Sequence, residues 1–162
     1  MQACVFRLLR LLGLLALAGA AHAAADLTPP PAAKGTDTLS TARSQIAARN
    51  WSAAIAELKR LQDTGNADWH NLMGYSLRRA MTPDLAAAER HYDEALRLDP
   101  RHRGALEYSG ELYLMKGELP RAEQRLAALD AACAKACVEH ADLKRAIERY
   151  KAAGNRYVAG DY

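Results

Sequence analysis

The segment Gly104–Asp130, GALEYSGELYLMKGELPRAEQRLAALD, decides the fold, because its apolar pattern occurs twice more, earlier in the chain. Three rows of residues keep a spacing of 34: Ala54, Ala88 and Ala122; Leu58, Tyr92 and Leu126; Leu61, Ala95 and Leu129. The rows are separated by four and then three residues, which places them on one face of a helix. A fixed period of this length predicts a repeat architecture.

A second row, of small residues, lies upstream at Ala42, Gly74 and Gly110, with spacings of 32 and 36. We interpret the two sets of rows as a pair of antiparallel helices repeated three times, with the small residues where paired helices cross. The first helices are expected over 37–48, 67–80 and 103–116, and the second over 51–63, 83–98 and 120–131. Pro83 and Pro120 are expected at helix starts, where a missing N–H is harmless.

The segment Gly104–Asp130 resembles a tetratricopeptide repeat (TPR) through Leu106, Ser109, Gly110, Tyr113, Ala122 and Leu126. The preceding unit resembles it through Trp69, Met73, Gly74, Ala88, Tyr92, Ala95 and Pro100, with two extra residues in its turn. The first unit is weaker, since Ala42 replaces the glycine. The resemblance implies an all-α fold, a right-handed α-solenoid of three helix-turn-helix (TPR-like) repeats plus a C-terminal capping helix.

In this interpretation the repeats span about 35–66, 67–102 and 103–136, within a helical domain of 37–153. The cap is expected over 138–153, where an apolar stripe at Leu143, Ile147 and Tyr150 faces the array and charged residues cover the other side. Residues 154–162 form a short tail. Stacking explains the aromatic residues, so most of Trp51, Trp69, Tyr92, Tyr108 and Tyr113 are expected in the core.

The first 23 residues are predicted to be a cleavable signal peptide. Arg7 and Arg10 precede an apolar run, and Ala21–Ala23 supplies the small-x-small cleavage pattern, with Ala25 as an alternative site. The run is too short to span a bilayer, which needs roughly 20 residues. Residues 24–36 are expected to be a proline-rich flexible linker. The sequence therefore predicts a periplasmic or secreted protein, with no membrane anchor after cleavage.

Cleavage would leave 139 of the 162 residues and lower the net charge from +3 to about +1. A nearly neutral chain lacks the basic footprint of nucleic-acid binding. Two cysteines would remain, Cys133 and Cys137, at the corner between the last repeat and the cap. On an unbroken helix their Cβ atoms would be too far apart for a disulfide, but the repeat register breaks the helix there. We therefore expect a disulfide that fixes this corner.

Three other interpretations of the cysteines remain open, of which the simplest is a pair of free, inert thiols. With His140, they could bind copper or zinc, although that supplies only three ligands. They could also exchange disulfides, although no Cys-x2-Cys helix start is present. Elsewhere, metalloprotease, phosphate-loop and nucleophile-elbow motifs are missing from the sequence. The sequence thus predicts neither an enzyme nor a cofactor.

In TPR proteins the first helices line a concave groove that binds a protein or peptide segment. The resemblance places Arg43, Asn71, Tyr75, Arg78, Glu107 and Glu111 in that groove. Asn71 with Arg43 and Arg78 could clamp a carboxylate, but the acidic third unit argues against a purely anionic ligand. We expect a non-catalytic adaptor for a protein or peptide partner. The alternatives are a copper carrier or assembly factor and a chaperone for exported chains.

Overall fold

Regular structure in the computed structural model is entirely helical over the residues it describes, 37–134 and 137–159. The predicted signal peptide and linker lie outside the described residues. The seven helices are α1 (Ser40–Ala47), α2 (Trp51–Leu61), α3 (Ala67–Arg79), α4 (Leu85–Leu98), α5 (Arg103–Met115), α6 (Leu119–Ala132) and α7 (Val138–Ala152). The all-α class is confirmed, and each predicted helix is present within a few residues of its expected bounds.

Capping side chains mark the starts of three helices, α3, α4 and α5. Asn66 accepts hydrogen bonds from the backbone N–H groups of Asp68 and Trp69 at the start of α3. Pro120 lies in the first turn of α6, as predicted. The prediction that Pro83 begins α4 is wrong, because Asp84 caps this helix by accepting a bond from the Ala87 N–H at 2.9 Å. A carboxylate at this position satisfies a donor that proline would leave unpaired.

The helices pack in chain order. Each helix contacts the next one, and α1, α3, α5 and α7 also contact one another in series. The even-numbered helices lie farther apart: α4 and α6 are joined through long side chains, with Arg121 2.7 Å from Glu89 and Arg125 3.1 Å from Asp93. The odd-numbered helices therefore form the more closely packed side of the helical domain.

Two hydrophobic clusters meet at α3. One contains six buried residues of α1, α2 and α3 and the residue before α1: Leu39, Ala42, Leu58, Trp69, Leu72 and Met73. The other joins α4, α5, α6 and α7, with Tyr92, Tyr113 and Leu143 among its buried members. Leu77 packs against both clusters, so α3 connects them. Of the five aromatic residues expected mostly in the core, Trp69, Tyr92 and Tyr113 are buried, and Trp51 and Tyr108 are partly exposed.

The predicted close crossing with the paired helix is present at Gly74, whereas the nearest neighbour of Gly110 belongs to α7 instead of the paired helix α6. A Cβ on Gly74 would lie 2.8 Å from the Tyr92 ring and 3.1 Å from the Ala88 carbonyl oxygen, so α3 and α4 touch there. A Cβ on Gly110 would lie 2.5 Å from Leu143, which belongs to α7. The second glycine thus allows α7 to pack closely against α5.

The corner between α6 and α7 holds the two cysteines. Helix α6 ends at Ala132, Cys133 and Cys137 are both extended, and α7 begins at Val138. The two Cα atoms are 5.8 Å apart and the sulfurs lie at disulfide-bonding distance. The predicted break in the helix is confirmed, and with it the proximity that a disulfide requires.

A candidate binding cavity between α3, α5 and α7

The side of α3, α5 and α7 where these helices meet contains a cavity of about 210 Å³. We call it the acidic cavity. Its walls consist of two tyrosines, four carboxylates and one valine: Tyr75, Glu107, Tyr108, Glu111, Val138, Glu139 and Asp142. A concave site with few, convergent polar groups is the usual form of a binding site.

Helical spacing arranges the four carboxylates as two pairs, and the packing of α7 against α5 brings the pairs together. Glu107 and Glu111 are four residues apart in α5, so they share one face of that helix. Glu139 and Asp142 are three residues apart at the start of α7, where the helix N-terminus favours negative charge. Because Cys137 immediately precedes α7, its link to Cys133 fixes the start of the helix that supplies this wall.

A buried ion pair between Arg78 and Glu111 lies beside the acidic cavity. The Arg78 Nη2 atom lies 2.7 Å from Glu111 Oε2, and the two side chains are only 1% and 2% exposed. The Arg78 guanidinium also lies 5.5 Å and 5.7 Å from the ring centroids of Tyr75 and Tyr108. The positive charge of Arg78 is therefore already engaged by a carboxylate and two aromatic rings.

Glu107 differs from its neighbours, because its carboxyl group has no hydrogen bond or ion pair with any described residue. The residue is 7% exposed and lines the acidic cavity. Burial, and then the negative charges of Glu111, Asp142 and Glu139, raise the pKa of the Glu107 carboxyl to about 8. At neutral pH this carboxyl group is therefore mostly protonated.

The other carboxylates have cationic neighbours but retain free acceptor atoms. Glu139 Oε1 lies 3.8 Å from Arg103 Nε, and Asp142 accepts a hydrogen bond from Arg145. Glu111 Oε1 and Glu139 Oε2 are buried and lack hydrogen-bond partners among the described residues. Buried acceptors without donors are costly, which makes the cavity a place where a ligand bearing N–H groups would be stabilised.

Aromatic rings extend from the cavity toward α2. The centroids of Tyr75 and Tyr108 are 4.6 Å apart, and Tyr75 makes an edge contact with Trp51 at 5.8 Å. Burial, and then the negative charge of Glu107, raise the pKa of the Tyr108 hydroxyl. Tyr108 therefore stays neutral and can present its ring and hydroxyl group to a ligand.

Beyond α7 the chain returns to the C-terminal ends of α3 and α5. Tyr157 packs partly buried against the larger hydrophobic cluster. With Ala159 it borders a second cavity of about 210 Å³ beside Arg78, Arg79 and Met115. The tail thus covers part of the surface that the resemblance assigns to a groove.

The structure brings together four of the six predicted groove residues, namely Tyr75, Arg78, Glu107 and Glu111. Asn71 is buried near Gly104. Arg43 lies 2.8 Å from Asp68, outside the acidic cavity. Since the guanidinium groups of Arg43 and Arg78 both have carboxylate partners, neither is available for the suggested carboxylate clamp without losing an ion pair.

Sequence reasoning missed Tyr108, Val138, Glu139 and Asp142. The repeat pattern predicts Tyr108 in the core and α7 as a cap with a charged outer face. The one available signal was the acidic pair at helical spacing in each of α5 and α7. His140, the suggested third metal ligand, has its Nε2 atom 2.8 Å from Asp130 Oδ1.

Residues 37–134 and 137–159 contain no group of three or more His, Cys, Asp or Glu side chains that could hold a metal ion. The same residues include no helix that is long and apolar enough to cross a membrane.

Comparison with models of known protein families finds no match to this chain. Comparison with curated proteins finds no match either. The class that the structure itself defines is an all-α protein with a polar cavity between three helices.

Proposed function

We propose that this protein is a non-catalytic adaptor of the periplasm or the extracellular space. In this proposal a segment of a protein or peptide partner binds across α3, α5 and α7 of a right-handed solenoid of three TPR-like repeats and a cap. The signal-like first 23 residues favour export, and the 34-residue period together with the serial packing of the odd-numbered helices supports the solenoid.

The acidic cavity is the observation that carries the proposal. It is small, lies on the closely packed side of the array, and combines aromatic rings with buried acceptors that lack partners. Side chains of an extended segment are the natural occupants of such a site, because they bring donors without requiring a large pocket.

The experiment begins with an array of peptides of varied sequence, probed with purified residues 24–162. Binding peptides are then titrated into labelled protein and followed by NMR. We expect the shifts to concentrate on α3, α5 and α7. The variant Val138→Trp should weaken binding at least tenfold, because Val138 is 67% exposed at the cavity wall.

Met81→Trp is the matched control, since Met81 is fully exposed and lies outside the acidic cavity. It should bind like the unmodified protein. Shifts confined to α2, α4 and α6, or equal effects of the two tryptophans, would contradict the proposal.

A further inference from the structure

We infer that the acidic cavity binds one basic side chain, lysine or arginine, of the partner segment, and that Glu107 releases a proton as this cation enters. The inference rests on the proposed function and specifies the chemistry of its ligand.

Acceptors dominate the walls of the acidic cavity, so its ligand must donate. Glu107 is buried, lines the cavity, and has no partner among the described residues. Glu111 Oε1 and Glu139 Oε2 are likewise buried acceptors without donors in the part of the chain that the structure describes. An ammonium group offers three N–H donors and a guanidinium five, which matches this set of oxygens.

The aromatic rings favour an organic cation. Tyr75 and Tyr108 lie 4.6 Å apart beside the carboxylates, and Arg78 already occupies a position 5.5 Å and 5.7 Å from their centroids. A second cation entering from solvent would find ring faces and carboxylates together, as cation–π sites require. Val138 supplies an apolar contact for the aliphatic stem of the side chain.

The geometry argues against a metal ion as the occupant. Of the described residues, no group of three His, Cys, Asp or Glu side chains converges closely enough to hold one. A cavity of about 210 Å³ is also below the roughly 300–1,000 Å³ that holds a drug-sized molecule. One long side chain fits these limits better than either alternative.

Proton release follows from the charges that surround Glu107. The groups facing it are Arg78 and Tyr75 on α3, Tyr108 and Glu111 on α5, and Glu139 and Asp142 on α7. Burial, and then the negative field of Glu111, Asp142 and Glu139, keep Glu107 protonated, with a pKa of about 8. A bound cation opposes that field and lowers the pKa, so the proton passes to the buffer.

Calorimetry with four short peptides tests the inference. The peptides are identical except for one central residue, which is lysine, arginine, glutamine or glutamate. We expect lysine and arginine peptides to bind at least tenfold more tightly than the glutamine peptide, and the glutamate peptide more weakly still. Titrations at pH 7 in buffers of different ionisation enthalpy should show close to one proton released per bound lysine peptide.

Glu107→Gln is the decisive variant. It keeps the shape of a protonated glutamate, so the protein should fold, but it cannot release the proton. Proton release should disappear, and the preference for lysine over glutamine should shrink. Glu94→Gln changes a partly exposed glutamate of α4 that is paired with Arg97; it is the matched control and should behave like the unmodified protein.

The outcomes separate the two proposals. Equal binding of the lysine and glutamine peptides, or full proton release in Glu107→Gln, overturns the cation site while leaving the adaptor role intact. If no peptide binds, n-butylammonium and methylguanidinium are titrated by NMR. Shifts around Tyr75 and Tyr108 that vanish in Glu107→Gln would support the cation site and contradict the adaptor role. If neither cation causes NMR shifts, or if millimolar calcium displaces the lysine peptide, the cation site is overturned.

Discussion

The ion pair between Arg78 and Glu111 should have a large effect on the stability of this protein. Both side chains are nearly inaccessible to water, and their charged atoms are 2.7 Å apart. Removing one partner leaves a buried charge without compensation, which typically costs about 3–5 kcal/mol. We expect Glu111→Gln to lower the free energy of unfolding by an amount of this order, measured by urea denaturation.

The double variant Arg78→Met, Glu111→Leu provides the control for this prediction. It removes both charges together, so it should be clearly more stable than Glu111→Gln. A single variant that unfolds like the unmodified protein would show that the pair is not buried in solution.

Ionisation of Glu107 should lower the folding stability as the pH rises. Its pKa is raised from 4.5 to about 8, so the folded protein holds this proton more tightly than the unfolded chain. The favourable contribution is complete below pH 4.5 and is lost as the pH rises through about 8. Glu107→Gln should therefore match the unmodified protein at pH 4.5 and exceed its stability at pH 8.5 by a few kcal/mol.

Denaturation of both proteins at several pH values measures this difference. Glu94→Gln should show no such gain at pH 8.5, because Glu94 lies at the surface. If the free energies of unfolding of Glu107→Gln and of the unmodified protein differed by the same amount at every pH, the assigned protonation state would be wrong.

Protonation of His91 should lower the folding stability as the pH falls. Burial, and then the positive charges of His70 and Arg90, lower its pKa from 6.5 to about 4. The folded state binds this proton more weakly than the unfolded chain, so stability is complete above pH 6.5 and declines as the pH falls toward 4. Because His91 is only half buried, the loss should be on the order of 1 kcal/mol.

His91→Gln should remove the part of this decline that lies between pH 6.5 and 4.5, when thermal unfolding is followed at each pH. His70 Nδ1 lies 3.0 Å from His91 Nδ1, and the amide of glutamine can replace that contact. An unchanged slope in the variant would assign the acid sensitivity to other groups.

At the scale of helices, the sequence predicted most of what the structure shows. The 34-residue period predicted the positions of the seven helices. Buried alanines such as Ala54, Ala88 and Ala122 must recur wherever helices pack closely, and this recurrence produces the period. The start of α4 was misplaced because two local signals compete there, and the Asp84 cap prevails over the preceding proline.

The acidic cavity was only partly predictable. Tyr75, Glu107 and Glu111 could be placed through the repeat register, but their convergence with Glu139 and Asp142 depends on how α7 packs against α5. That packing is a tertiary property, and the sequence pattern of α7 is equally compatible with a solvated face. The burial of Arg78 could not be predicted from the sequence either, because its partner Glu111 belongs to another helix.

The corner between α6 and α7 is where an element depends on a covalent bond. A disulfide closing this loop of about five residues should contribute about 2 kcal/mol through chain entropy. We expect Cys133→Ser, Cys137→Ser to unfold more easily by about that amount. Since α7 also carries Glu139 and Asp142, the double variant should bind the lysine peptide more weakly.

Mass spectrometry supplies the direct check on the disulfide. Purified without reductant, the oxidised protein should be two hydrogens lighter than the reduced chain and should not react with an alkylating agent. Two alkylatable thiols would contradict the disulfide and reopen metal binding by Cys133, Cys137 and His140.

On the scale of the whole molecule, stability should rise from α1 toward α5. Helix α1 has eight residues and buries only Ala42, and α2 buries only two residues. Helix α5 buries nine residues and contacts α3, α4, α6 and α7. Arrays in which each unit contacts only its neighbours open locally, beginning where the fewest contacts hold.

Hydrogen exchange should therefore be fastest in α1 and α2 and slowest in α5. Leu58→Ala tests whether opening is local, because Leu58 belongs to the cluster of α1, α2 and α3. The variant should accelerate exchange in α1 and α2 while leaving α5 and α7 nearly as protected as before. Leu129→Ala, in the other cluster, should accelerate exchange across α5, α6 and α7. Equal acceleration of every helix by both variants would mean that the two clusters unfold as one unit, despite their single connection through α3.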